Sequence, residues 1–225
     1  MAKQGLPFDL PTRDAFFSQW QINHSAPDLD PRNTFALRWF LTFTYACAKP
    51  FARRGVNPNV VTLGGLVLGA LALVATKVAP ALGGLVVLAS SLTDGVDGAV
   101  AALSGRSSKI GFVLDSVVDR ISDAFFVIAL VMVGANDRLA AGAIAAVWLL
   151  EYTRARAGNA GLGEIGVVTI GERPTRVLAS GLALVGAQFL PTRTGWCGNI
   201  GALITLITCS LAVLQLAWYL RKVLR

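Results

Sequence analysis

The chain has 225 residues, 54% of them apolar and 15% charged, with a mean hydropathy of +0.61. That balance excludes an ordinary soluble domain, and apolar runs of about 18 residues or more recur up to the C-terminus, leaving no room for a separate soluble core. The net charge of +7 does not indicate nucleic acid, because the basic residues sit at the ends of apolar segments rather than in a stripe with interleaved aromatics.

In chain order, residues 1–32 read as an irregular, polar, cytosolic arm with Pro7, Pro11, Pro27 and Pro31 and with Asp9, Asp14, Asp28 and Asp30. It lacks the basic start and apolar core of a signal peptide, so no cleavage is expected. His24, the single histidine, falls in this arm and reads as solvated. Residues 33–55 combine aromatics with Arg38, Lys49, Arg53 and Arg54, the pattern of an amphipathic helix lying in the membrane interface and ending near Pro50; a seventh, short span is the alternative.

Residues 56–225 read as one membrane domain of six spanning helices, at about 58–78, 81–103, 110–134, 138–157, 174–190 and 198–220, each close to the ~20 residues that cross a bilayer. Lys49, Arg53, Arg54, Arg106, Lys109, Arg154, Arg156, Arg173, Arg176, Arg221, Lys222 and Arg225 fall on one side, against Lys77, Arg138 and Arg193 on the other. The first side is therefore expected to be cytoplasmic, with both termini on it. The expected class is an all-α, polytopic protein of the cell membrane. Cys47, Cys197 and Cys209 are widely separated and form no CxxC pair, so they indicate neither a zinc site nor a disulfide framework.

The segment DGVDGAVAALSGRSSKIGFVLDSVVD, Asp94 to Asp119, holds the chemistry. Asp94 and Asp97 are spaced i, i+3 and Asp115 and Asp119 i, i+4, so each pair shares a helix face, and a hairpin lets the faces meet at the cytoplasmic end. Four ionised carboxylates there repel one another and are costly in a bilayer unless cations neutralise them. Oxygen-only ligands suit Mg²⁺, Mn²⁺ or Ca²⁺; four carboxylates can hold two such ions, and two-metal sites commonly act on phosphates. Gly95, Gly98 and Gly111 let backbone and a bulky ligand approach this face. The bland alternative is four aspartates that cap helix ends or pair with Arg120.

This pattern resembles the signature of the CDP-alcohol phosphotransferase family, Dxx-DGxxAR, eight or nine residues, then GxxxDxxxD. Here the motif reads Asp94, Asp97, Gly98, Ala101, then Gly111, Asp115 and Asp119, with eight residues between position 102 and Gly111. The resemblance covers about residues 57–220, including the segment NPNVVTLGG at the start of the first span. It implies transfer from CDP-diacylglycerol or another CDP-alcohol to the hydroxyl of a polar acceptor, with CMP released, and it implies a homodimer among membrane lipids. It further implies two divalent cations, Mg²⁺ or Mn²⁺, held by Asp94, Asp97 and Asp115, with Asp119 completing the site and acting as general base. Gly98 and Ala101 would leave room for the cytidine, with Gly111 nearby and Thr62 as a nucleotide contact. One departure stands out: the family's Ala-Arg pair is Ala101-Ala102 here. Arg106, one turn later, or Lys109 in the turn stands in for that arginine, or the donor preference or the activity has changed.

Within the family, the phosphatidylinositol-phosphate synthase branch of actinobacteria is similar in three further places. These are TRARAG with Arg154 and Arg156, ERPTR with Glu172, Arg173 and Arg176, and DRISD from Asp119 to Asp123. On that resemblance Arg154, Arg173 and Arg176 are expected at an acceptor phosphate, Arg156 less so, and inositol phosphate is the leading acceptor. Gly158 stands where the branch has a glutamate. Asp123 reads as a structural partner of Arg120 or of a neighbouring helix, and Gly65 and Gly69 as a close-packing GxxxG inside the bundle. Two other functions compete: an ion-coupled transporter, which should show repeats and interrupted helices near the midplane, and a metal-dependent lipid pyrophosphate hydrolase.

Overall fold

A computed structural model describes residues 10–23, 30–162 and 168–223; His24, Asp9, Asp28 and Arg225 lie outside the described residues. Among those described, the chain is all-α, with helices α1 (Arg13–Asn23), α2 (Phe35–Arg53), α3 (Pro58–Val78), α4 (Pro80–Ser104), α5 (Lys109–Met132), α6 (Asp137–Ala157), α7 (Arg173–Phe189) and α8 (Thr194–Val223). A π-helical turn, Gly158–Leu162, follows α6.

The helix boundaries follow local chemistry. Asn57 caps α3 by accepting from the Asn59 backbone N–H at 3.0 Å, with Pro58 in the first turn, where its missing N–H is harmless. Ser108 caps α5 by accepting from Gly111 at 3.0 Å, and Asn136 caps α6 through Arg138 and Leu139. Helix α4 ends at Gly105, whose φ of 65° is left-handed, and this glycine turns the chain back into α5 within four residues. Helix α8 runs four residues earlier and three later than the expected 198–220.

Among the described residues, three helical segments are long and apolar enough to cross a membrane, Pro58–Val78, Pro80–Ser104 and Pro191–Val223. Helices α5 and α6 are interrupted by Asp115, Asp119, Asp123, Glu151 and Arg154, and α7, which opens with Arg173 and Arg176, is only 17 residues long. Val60, Val67, Leu71 and Val74 of α3 face outward, an arrangement suited to lipid and unsuited to water.

The arm departs from the irregular conformation expected of it. Residues 13–23 are helical because Phe16 and Phe17 bury against Leu41, Ala48, Val100 and Leu103 of α2 and α4. Helix α2 likewise runs through Pro50 to Arg53 instead of stopping there. The GxxxG works inside the bundle, as expected. Ser90 Oγ donates to the Gly65 carbonyl at 2.9 Å, and a Cβ on Gly69 would sit 3.2 Å from Ser122 Oγ. At the α4–α7 crossing, a Cβ on Gly84 would lie 2.5 Å from the Gly181 carbonyl oxygen, so this crossing requires glycine.

Candidate active site

The Gly105–Ser108 turn reverses the chain from α4 into α5, and both helices pack chiefly on α3 rather than on each other. Carboxylate oxygens of Asp94, Asp97 and Asp115 come within 4.8 Å of one another as a result. Thr62 of α3 supports the group: its hydroxyl donates to Asp97 Oδ2 at 2.5 Å, with the Pro58 carbonyl farther off at 3.3 Å. Thr62 therefore bonds a carboxylate and not merely its own backbone. Asp115 Oδ1 is buried without a hydrogen-bond partner. Oxygen donors only, converging, one of them buried and unsatisfied, fit a hard divalent cation.

Asp119 stands apart from this trio. Its Oδ1 pairs with Arg173 Nη1, which also lies 2.8 Å from Asp94 Oδ1, and Arg120 Nη2 is 3.4 Å from its Oδ2. Arg173, the first residue of α7, thus places one guanidinium between two signature aspartates and supplies positive charge where the carboxylates crowd.

A cavity of about 550 Å³ opens above the trio. Thr62, Gly98, Ala101, Arg106 and Gly111 all line it, so the expected donor-side residues share one space. The three glycines differ in what they do. A Cβ on Gly98 would meet nothing within 4 Å, whereas on Gly95 it would lie 2.7 Å from Phe40 Cζ and on Gly111 2.9 Å from Asn59 Oδ1. Only Gly98 opens onto ligand space; Gly95 is small to admit α2, and Gly111 to admit α3 and the Ser108 cap. Arg106 is exposed, and its Nη1 donates to the Gly55 carbonyl at 2.7 Å, which holds it at the rim.

Arg176, Arg120 and Arg154 are engaged by carboxylates. Arg176 is 2% exposed, lies 3.1 Å from Asp123 Oδ2 and 3.0 Å from Glu151 Oε1, and donates to the Gly171 carbonyl. Arg120 reaches Glu151 at 3.0 Å and Asp123 at 3.9 Å, so the expected structural pairing of Asp123 is present, with Arg176 as its nearer partner. Arg154 forks onto Glu172 and donates to Thr169 at 2.8 Å. Burial pushes the Glu172 carboxyl up, but hydrogen bonds from Arg154 and Thr169 together with the Arg154 charge outweigh it and hold Glu172 below the usual carboxylate range. Arg156 is exposed. Glu151 and Asn59 were not singled out from the sequence; Glu151, a lone carboxylate inside an apolar run before TRAR, was the signal available for the first.

A helical membrane bundle that gathers acidic oxygen donors beneath an open cavity is the architecture of an enzyme handling phosphates with hard cations. Residues 56–217 match the family model of CDP-alcohol phosphatidyltransferases, and the chain belongs to that family. It is a membrane transferase of phospholipid biosynthesis. The archaetidylinositol phosphate synthase of Aeropyrum pernix is 36% identical over 132 residues, 57% of this chain and 68% of the relative. Two crystal structures of Mycobacterium tuberculosis phosphatidylinositol phosphate synthase are similar at 26% identity and a TM-score of 0.63. One, in complex with manganese and citrate, is matched over 78% of this chain and 88% of that one. The other, with CDP-DAG bound, is matched over 77% and 92%.

Proposed function

We propose that this protein transfers a phosphatidyl-type group from CDP-diacylglycerol to a hydroxyl of inositol phosphate, releasing CMP. The observation that carries this reading is the trio Asp94, Asp97 and Asp115, with oxygens within 4.8 Å, on the floor of a cavity into which Gly98 opens. The names of the relatives support the donor and the acceptor class.

Asp94, Asp97 and Asp115, with Asp119 beside them, would hold two divalent cations, Mg²⁺ or Mn²⁺. When bound, such ions neutralise the pyrophosphate and the charge developing on the attacking and leaving oxygens. Gly98 and Ala101 leave space for the cytidine, with Gly111 and Arg106 at its edge, and Thr62 acts through Asp97 by fixing which oxygen faces the cavity. Asp119 takes the proton of the attacking hydroxyl, whose oxygen bonds to the lipid-bearing phosphorus as the bond from that phosphorus to CMP breaks. Arg173 faces the aspartates and meets the acceptor phosphate, which its planar fork suits. Arg154 and Arg176 belong to the same acceptor end but hold α7 in place, through Glu172 and through Asp123 with Glu151.

We further read α3–α8 as six spans, α5–α7 turning Asp119, Asp123 and Arg176 inward while Phe112, Val113, Leu149 and Leu182 face outward, and α2 as the interfacial helix. Excess Lys and Arg at the aspartate end support a cytoplasmic setting for that end and for both termini. A homodimer is the expected assembly. The test is CMP release by the purified protein from CDP-diacylglycerol with Mg²⁺ or Mn²⁺ and a panel of alcohols. Release that requires inositol phosphate supports the assignment. Release without any alcohol points to a hydrolase, and no release to a transporter or an inactive homologue.

A further inference from the structure

The cavity above the aspartates is lopsided in charge. Asp94, Asp97 and Asp115 line it, and among the described residues Arg106 is the single basic side chain that does. Arg173 meets the carboxylates away from this lining, and Lys109, the other stand-in offered by the sequence, does not line it either. We propose that Arg106, held by the Gly55 carbonyl, grips the diphosphate of the CDP donor, so that the turn between α4 and α5 supplies the cation that the signature places at position 102. This inference rests on the transferase reading above.

The end of α4 brings residue 106 back to the helix it has just left. Gly105 is left-handed, with a φ of 65°, and the Arg106 backbone N–H donates to the Ala101 carbonyl at 3.1 Å, a closure that folds the chain against the last turn of the helix. Ala102 lies in that turn. Ala102 and Arg106 line two spaces in common, the 550 Å³ cavity and a neighbouring one of about 460 Å³. An alanine adds nothing beyond Cβ, so the room left at position 102 adjoins the arginine. Gly55, which accepts from Arg106 Nη1 at 2.7 Å, sits in the turn between α2 and α3 with a φ of 66°, so the guanidinium is fixed from a second, separate turn.

The partners of this arginine set what it can bind. Arg120, Arg154, Arg173 and Arg176 each pair with a carboxylate, whereas among the described residues Arg106 pairs with none. Its printed partner, a backbone carbonyl, orients the side chain without neutralising it, and the planar fork has N–H groups to spare once Gly55 is served. A cation with spare donors, in a cavity lined by three carboxylates that fit hard divalent ions, suits a ligand with negative oxygens for both. A diphosphate is such a ligand: some of its oxygens meet the ions and others accept from the arginine. Arg106 is exposed at the rim, where the diphosphate of a donor can reach it while the lipid part stays with the bilayer.

The experiment compares full-length wild type, Arg106→Ala, and the double variant carrying Ala102→Arg with Arg106→Ala, in detergent with Mn²⁺. CDP affinity is read by calorimetry, Mn²⁺ affinity by electron paramagnetic resonance, and donor KM with CDP-diacylglycerol. Loss of a charge-assisted contact to phosphate predicts that Arg106→Ala weakens CDP and raises donor KM by about tenfold or more, with Mn²⁺ affinity and melting temperature little changed, and that Ala102→Arg recovers most of the loss. Unchanged CDP affinity in Arg106→Ala overturns the inference and leaves the transferase reading intact. Parallel loss of CDP and Mn²⁺ affinity also overturns it, since Arg106 would then merely tie two turns together. So does a loss that Ala102→Arg fails to restore, because the two positions are proposed as alternatives for one contact. A wild type that binds no CDP removes both readings.

Discussion

Two acidic clusters lie about two helical turns apart along α5, and they solve the same electrostatic problem in opposite ways. In the inner one, Asp123 and Glu151 are matched by Arg120 and Arg176, with N–O separations from 3.0 to 3.9 Å. In the outer one, Asp94, Asp97 and Asp115 converge within 4.8 Å, and the guanidinium that reaches the group, Arg173, is shared between Asp94 and Asp119. Buried charge that is already paired holds helices together; charge gathered in excess beside open space needs a ligand. The residue types are the same, and the difference lies in how the arginines are shared: Arg120 and Arg176 both close on Asp123 and Glu151, whereas Arg173 is divided between Asp94 and Asp119.

The sharpest test of that contrast is Asp115→Asn. It should lower CMP release by about a thousandfold or more, because the cations contribute several kcal/mol to the transition state. Mn²⁺ affinity should fall with it, while the melting temperature holds or rises as carboxylate repulsion is relieved; retained turnover would break the metal-site assignment. Asp123→Asn should do the reverse, leaving Mn²⁺ affinity within severalfold of wild type but costing about 3–5 kcal/mol of stability, since Arg176 then loses a buried partner. Loss of Mn²⁺ affinity at unchanged stability would erase the distinction between the clusters. Denaturant titration in detergent micelles reads the stability arm.

The glycines permit a smaller comparison. Gly98→Leu should raise donor KM about tenfold by filling the cavity, with little change in melting temperature, whereas Gly95→Ala should cost about 1–3 kcal/mol by pressing on Phe40, with KM nearly unchanged. Equal effects at the two positions would refute their different roles. The smallest effect concerns Glu172. Burial raises its pKa, yet the Arg154 and Thr169 hydrogen bonds prevail, so the folded value lies below the unfolded one. Its contribution is therefore full above the ordinary carboxylate pKa of about 4.3 and is lost as pH falls through the folded value. The wild type should lose melting temperature below pH ~4 more steeply than Glu172→Gln, and identical acid profiles would contradict this.

Much of the architecture was legible in the chain itself. Asn57, Ser108 and Asn136 mark helix starts by local capping and Pro58 and Pro80 by their first-turn position, and the spacing of Asp94 with Asp97 and of Asp115 with Asp119 puts each pair on one face of its helix without knowledge of any neighbour. The helix in the arm is not legible because α1 is short and weakly apolar, and its helicity depends on burying Phe16 and Phe17 against helices that lie elsewhere in the sequence. Gly95, Gly98 and Gly111 looked equivalent, since a missing side chain carries no sign of what occupies the space beside it.

Local chemistry thus determined the helices from α3 onward, the hard-cation donor set and the chemistry it serves, because capping, helical periodicity and carboxylate spacing act within a few residues. Only the tertiary structure decided which charges are paired. Arg176 closes on Asp123 and Glu151, Arg154 on Glu172, and Arg173 bridges Asp94 and Asp119, all through contacts between different helices. It also decided that an aromatic helix from the arm walls the cavity beside Ala102, since packing brings together residues about eighty positions apart whose chemistry does not reveal their proximity.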